Sequence, residues 1–136
     1  MHGRRSSGSG RGLPGRSDQR GLSSSTQLAV VFPLLMLLTL GIVQAGLWLH
    51  AHNVAQRAAT AAVDVARGSY GTAGEGEARA RDLAGAAGLT EVVVQVDRGP
   101  QQVTARVSAH ATLVLDLGLG TIEETASGPR ERVSTP

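Results

Sequence analysis

The sequence contains no cysteine and no lysine, and it has one residue each of Phe, Trp and Tyr. The lack of cysteine excludes a disulfide framework, a thiolate nucleophile and a cysteine-ligated metal. Two of the aromatic residues, Phe32 and Trp48, lie in a single apolar stretch, so Tyr70 is the only aromatic residue among residues 51–136. A small region that is rich in Ala, Val, Gly and Thr builds a modest core. This composition argues against a deep enzyme pocket.

One hydrophobic run dominates what is present. Leu28–Leu49 has 22 residues without a charge, and its only polar side chains are those of Thr39 and Gln44. As an α-helix that rises about 1.5 Å per residue, this run would be about 33 Å long, enough to cross a hydrocarbon core of about 30 Å. A chain of 136 residues could hardly bury it on all sides. We therefore predict a transmembrane helix, which makes the lipid bilayer a partner of the chain.

The segment before this run is basic and has little to pack. Residues 1–20 are mainly Gly, Ser and Arg, with five arginines against one acid, Asp18. We expect residues 1–24 to be a disordered tail. Because arginine is retained on the cytoplasmic side, the N-terminus is predicted in the cytoplasm and the C-terminus outside. Arginine also attracts phosphate, but we favour the topogenic role and predict no nucleic-acid partner.

A helical pattern continues beyond the apolar run. Alanines from Ala51 to Ala66 recur at spacings of three and four, which places them on one helix face, and Gly68 supplies a stop. We therefore predict one helix over 25–67. Within the apolar run, a small-residue pair and an amide at Gln44 are typical of contacts between helices. The residues predicted for helix–helix packing are Gly41, Gln44, Ala45, Ala51, Ala55, Ala58 and Ala62.

Residues 68–136 are predicted to form a small extracytoplasmic head with a polar C-terminal tail. A loop is expected over 69–76, and a short helix over 77–87. The fold class that we predict is α+β: a long N-terminal transmembrane helix that continues into an extracytoplasmic Ala-rich helix, followed by a small α/β-hairpin head.

The strands of the head are indicated by a change of period. The β-branched run Val92–Val96 is followed by a turn at Arg98–Pro100, and then apolar and polar residues alternate over Gln102–Thr112. This pattern predicts a hairpin with one packed and one solvated face. Residues 121–133 indicate a further strand.

No arrangement of side chains predicts catalysis or metal binding. His50 and His52 are two residues apart, so on a helix they point about 200° apart and cannot readily share a metal. We predict no enzyme activity, no cofactor and no small-molecule substrate. The remaining candidates are interpreted as solvated side chains: Glu75, Glu77, Glu123, Glu124 and His110.

The order of these features resembles a known family. A basic Arg20–Gly21 step and a hydroxyl-rich segment precede an apolar helix with an early Pro33. Gly41–Gln44 and Asn53–Ala55 then lead into an Ala-rich helix that ends at Ala66–Gly68. This order resembles the TadE-like proteins, which are minor pseudopilins of tight-adherence (Flp) pilus and type IV pilus-related secretion systems, and it is most similar to their actinobacterial branch. Val103–Ser108 and Ala126–Glu131 resemble the C-terminal end of the family more loosely.

The resemblance implies a single-pass, non-catalytic, pseudopilin-like membrane subunit. Its implied partners are other pilin-like subunits or the pilus or secretion machinery. The resemblance also implies a prepilin peptidase site between Gly21 and Leu22. The family pattern has a Glu five residues after the Gly; here Thr26 holds that position and Gln27 follows. A membrane-retained accessory subunit is therefore an open alternative to a fibre subunit.

A second alternative is an exported binding domain. Val43–Ala45 has the small-residue spacing of a signal peptidase site, and cleavage there would release a chain that begins at Gly46. The apolar run continues to Leu49, however, which is longer than a usual signal core.

Overall fold

The computed structural model describes residues 1, 3, 8, 10 and 19–132, and within the last range it describes side chains from Ser25 onward. The predicted disordered tail therefore lies largely outside the described residues, and the domain boundaries at 24 and 67 remain predictions. Within residues 19–132 there are two helices and three strands, which confirms the α+β class. They are α1 (Gln19–Arg67), α2 (Ala73–Ala86), β1 (Thr90–Arg98), β2 (Gln102–His110) and β3 (Thr121–Pro129).

Helix α1 contains the predicted transmembrane stretch. It begins at Gln19, six residues before the predicted start, and ends at Arg67, directly before Gly68. Within the described residues, Ser25–Arg67 is the one segment long and apolar enough to cross a membrane, and its most apolar window is not buried. The chain divides into two compact units between Leu38 and Thr39. The second unit contains the rest of α1, α2 and the sheet.

Helix α2 starts earlier than predicted, and the expected loop over 69–76 is wrong for its last four residues. The reason is a capping box. The Thr72 hydroxyl accepts a hydrogen bond from the Glu75 amide at 3.2 Å, and the Thr72 amide donates to the Glu75 carboxylate at 3.0 Å. These two bonds satisfy amides that the first turn leaves unpaired, so the helix begins at Ala73. At its other end Gly88 adopts a φ of 87°, a left-handed conformation that suits glycine.

The three strands form an antiparallel sheet in the order β1-β2-β3. The predicted hairpin corresponds to β1 and β2, and the predicted further strand corresponds to β3. The expected alternation is present in β2, where Val103, Ala105, Val107 and Ala109 are buried. The register pairs Val107 with Val94 on one side and Ala109 with Ile122 on the other. One face of the sheet is therefore continuous and apolar.

The core of the second unit combines this face with the alanines of α1. Ala55, Ala58 and Ala62 are fully buried, together with Val107 and Ile122 on the sheet. Alanine has no long side chain, so it lets other backbone segments come close to the helix. Among the glycines of α2, Gly76 comes closest to α1: a Cβ atom there would lie 2.6 Å from the Ala62 carbonyl oxygen. Helix α2 can therefore pack this closely on α1 because Gly76 has no side chain.

Gly76→Ala is therefore expected to destabilise the head. The added methyl group meets backbone, so the cost should be about 1–3 kcal/mol, as for an overpacked core. The measurement is chemical unfolding of the full chain in detergent, monitored by circular dichroism. Gly74→Ala is the matched control: it lies in the same turn with nothing within 4 Å of the added atom. Its effect should be neutral or stabilising by up to about 1 kcal/mol, and equal losses for the two variants would contradict the close packing.

Candidate functional site

Three side chains on α1 mark the place where the apolar stretch meets the head. Gln44, Trp48 and His52 are spaced by four residues, so they lie on one face of the helix. We call these three residues the anchor row. Gln44 is bonded to the loop between β2 and β3, Trp48 contacts His52, and His52 is bonded to β3, so the row connects α1 to the head.

Gln44 holds the loop between β2 and β3. Its carboxamide oxygen accepts hydrogen bonds from the Val114 amide at 3.1 Å and from the Leu115 amide at 3.2 Å. Its side-chain nitrogen donates to the Leu115 carbonyl oxygen. An amide side chain carries both a carbonyl oxygen that accepts and an NH2 group that donates, so it can pair with backbone donors and acceptors at once. In this chain Gln44 uses that capacity within the molecule, and a bond from it to another helix remains untested.

Trp48 and His52 continue the row toward β3. Their ring centroids lie 4.1 Å apart at an interplanar angle of 55°. The His52 ring nitrogen Nδ1 lies 2.6 Å from Oε1 of Glu124. The interpretation of Glu124 as a solvated loop charge is therefore wrong: it lies on β3 and is bonded to α1. The signal was present in the alternation of β3, because Glu124 falls between the inward-facing Ile122 and Ala126.

The other charged candidates also have partners. Glu75 caps α2, and Glu77 lies 3.3 Å from Arg81 and accepts a hydrogen bond from the Val96 amide. Glu123 pairs with Arg106 across the sheet at 3.2 Å. Glu75 and Glu77 therefore stabilise local structure, so interpreting them as solvated charges was too simple, whereas Glu123 is an exposed side chain as predicted.

The loop between β2 and β3 carries an apolar segment, Leu113–Leu119, which we call the apolar loop. Val114, Leu115, Leu117 and Leu119 are all exposed. Asp116 is bonded at both oxygens: Oδ2 lies 3.1 Å from His110 Nε2, and Oδ1 accepts from the Gly118 amide at 3.0 Å. His110 is thus paired, whereas the sequence predicted a solvated side chain.

A groove lies between α1 and the apolar loop. Its volume is about 370 Å³. Apart from the Gln44 amide, its walls are apolar or small. The lining residues are Gly41, Gln44, Ala45, Trp48, Leu113 and Leu119.

The residues predicted for helix packing fall into two groups. Ala51, Ala55, Ala58 and Ala62 are buried in the core of the same chain. Gly41 and Ala45 are exposed and line the groove. Packing against a second chain is not tested and remains a prediction. Gly21 and Leu22 lie within α1, but their side chains are outside the described residues, so the peptidase site also remains a prediction.

The described residues place no group of three or more His, Asp or Glu side chains where they could hold a metal ion. The interactions of the site are hydrogen bonds, one short His–Glu contact and apolar surface. Such an arrangement can hold the head on α1 and can bind an apolar partner.

The fold and site define a class of protein: a small α+β chain whose described residues include one candidate membrane helix near the N-terminus. The C-terminal part of this helix belongs to the core of the head. Residues 23–64 match the TadE-like protein family, which confirms the resemblance seen in the sequence. The matched segment is less than a third of the chain and includes the whole anchor row. No curated protein and no solved structure matches the chain.

Gln44→Leu should loosen the apolar loop although it makes α1 more apolar. Two loop amides and one carbonyl lose their partner, and the head should be destabilised by about 1–3 kcal/mol. Limited proteolysis of the full chain in detergent should show faster cleavage within the apolar loop. Gln56→Leu, at an exposed position of the same helix, is the control and should change stability by less than about 0.5 kcal/mol. Equal protease resistance of the two variants would show that Gln44 does not hold the loop.

A double-mutant cycle on His52 and Glu124 should give a coupling of about 1 kcal/mol, because both side chains are about three-quarters buried. The matched comparison is Arg106 with Glu123, where both side chains are 57% exposed. Their coupling should be close to zero, as for solvated ion pairs. The measurement is chemical unfolding of the alanine variants; a larger coupling for the exposed pair would contradict the assignment of His52 to the anchor row.

Proposed function

We propose that this chain is a single-pass membrane subunit that assists the assembly of a tight-adherence (Flp) pilus or of a type IV pilus-related secretion system. The observation that carries the proposal is the coincidence of the family match, residues 23–64, with the candidate membrane segment Ser25–Arg67. The matched family is a pilus-associated structural family. The role we propose is therefore packing within an assembly, without catalysis.

The surface offered to partners includes the exposed small residues of α1 that border the groove. Gly41 is exposed, and a Cβ atom added there would meet nothing within 4 Å of this chain. Ala45 lies one turn further on and is also exposed. Small residues at this spacing allow another helix in the membrane to approach closely. We propose pilin-like subunits or the assembly machinery as the source of that helix.

The proposed orientation follows from charge. The arginines of residues 1–20 favour a cytoplasmic N-terminus, which leaves the head on the extracytoplasmic side. The head would then be presented at the membrane surface, with α1 as its root.

The contacts of Gln44 support a chain that keeps its membrane helix. Cleavage after Ala45 would separate Gln44 from the head and leave the backbone of Val114 and Leu115 without the three hydrogen bonds that it makes. A hydrogen bond of this kind contributes about 0.5–1.5 kcal/mol net, so cleavage would weaken the attachment of the loop. This observation favours the anchored subunit over an exported domain that begins at Gly46.

Deletion of the gene should abolish or reduce surface pili, and the intact chain should restore them. Gly41→Leu should fail to restore pili, because the larger side chain blocks close approach of a neighbouring helix. Gly46→Leu is the matched control, since it too has open space in this chain but does not belong to the small-residue pair. Electron microscopy of surface pili and carbonate extraction of membranes are the measurements.

Unchanged pili after deletion, or equal complementation by both leucine variants, would contradict the proposal. Intact mass and N-terminal sequencing of the membrane-bound chain separate its possible forms. A start at Met1 indicates an uncut anchor and a start at Leu22 a processed pseudopilin. A chain in the medium that starts at Gly46 would show that the exported alternative is correct.

A further inference from the structure

Four of the six exposed large hydrophobic side chains in the described part of the head lie in the apolar loop. Leu117 is 76% exposed, and Val114, Leu115 and Leu119 are each about half exposed or more. All four lie within six consecutive residues of one loop, so the loop presents an apolar surface. A patch of this kind marks a surface that something apolar covers.

The position of the loop identifies what covers it. Gln44, which binds the loop backbone, lies five residues before Leu49, the last residue of the uncharged stretch. At about 1.5 Å per residue, Gln44 is roughly 8 Å inside the end of that stretch. Interfacial elements bury their apolar faces about 5–10 Å into the boundary between headgroups and acyl chains. The loop therefore lies at the depth of this boundary.

Four backbone groups of the loop have partners within the chain. In lipid, each unpaired backbone amide or carbonyl costs several kcal/mol, so irregular segments need internal partners. Gln44 pairs with the amides of Val114 and Leu115 and with the Leu115 carbonyl, and Asp116 pairs with the Gly118 amide. The single charge of the loop, on Asp116, is directed to His110 at the end of β2.

The groove beside the loop is continuous with the lipid-facing surface of α1. Gly41, Ala45 and Trp48 form its helix side, and all three belong to the uncharged stretch. Leu113 and Leu119 form the other side. Since one wall of the groove is part of the candidate membrane helix, the medium that surrounds that helix also reaches the loop.

We infer that the apolar loop is a second membrane contact, which inserts Val114, Leu115, Leu117 and Leu119 into the leaflet nearest the sheet. The inference rests on the proposed membrane anchoring of α1 and adds to it. Two contacts, the helix and the loop, would fix the tilt and rotation of the head on the bilayer. A head held by one helix alone could turn about the helix axis.

The test places an environment-sensitive nitrobenzoxadiazole label on single cysteines of the full chain, which has no cysteine of its own. The chain is reconstituted in phosphatidylcholine–phosphatidylglycerol vesicles, with or without lipids that carry a nitroxide near the headgroup end of an acyl chain. Leu117→Cys reports on the loop, and Val114→Cys repeats the measurement at a second exposed position. Tyr70→Cys, at a position that is 95% exposed, is the aqueous control. Leu37→Cys reports on the apolar helix.

The expected result is nitroxide quenching of the labels at Leu117 and Val114, with no quenching at Tyr70. Quenching at Leu37 alone, with deeper nitroxides, would overturn the loop insertion and leave the membrane anchor intact. A blue-shifted but unquenched label at Leu117 would show that protein covers the loop, which also overturns the inference. No quenching at Leu37 by nitroxides at any depth would overturn the anchor, and the loop insertion with it.

Discussion

The head depends on the close contact between the apolar face of its sheet and the alanine face of α1. The core contains no aromatic side chain, and its largest fully buried residues are Ile122, Val103 and Val107. Each such residue removes little apolar surface from water, so the sum is small for a region of this size. Alanines compensate by allowing short distances between backbones, at which many weak contacts act together. The same helix that carries the candidate membrane segment is therefore also a structural element of the head.

This double use of α1 explains the residues at the transition. Helix α1 changes from an exposed uncharged stretch to a buried alanine face within a few turns, and Gln44, Trp48 and His52 lie at that transition. The Gln44 amide pairs with the backbone of the loop, and the Trp48 ring is of a kind that suits a membrane interface. The His52 imidazole lies 2.6 Å from the Glu124 carboxylate. The contact with a carboxylate, from His52 to Glu124, lies at the end of the row outside the uncharged stretch.

Local signals in the sequence were sufficient for much of the fold. The end of α1, the hairpin and the alternation of β2 follow from a glycine stop, a turn and a period of two, all of which act within a few residues. The start of α2 was missed although Thr72 and Glu75 form a recognisable capping box, because the glycines around them favoured a loop. The anchor contacts were missed for a different reason: Gln44 with Leu115 and His52 with Glu124 are separated by 71 and 72 residues. No local pattern reports such pairs.

By itself, the sequence determined that a long uncharged helix exists, that it continues as an alanine-rich helix and that a hairpin follows it. These properties depend on hydrophobicity, on side-chain size and on the spacing of apolar residues at intervals of two to four positions. Only the tertiary structure decided which surface the alanines bury, that Gln44 is bonded to the head, and where the leucines between β2 and β3 lie. The physical reason is that small apolar residues fit many partners equally well. The packing of the whole head determines whether these residues contact the sheet, a neighbouring helix or lipid.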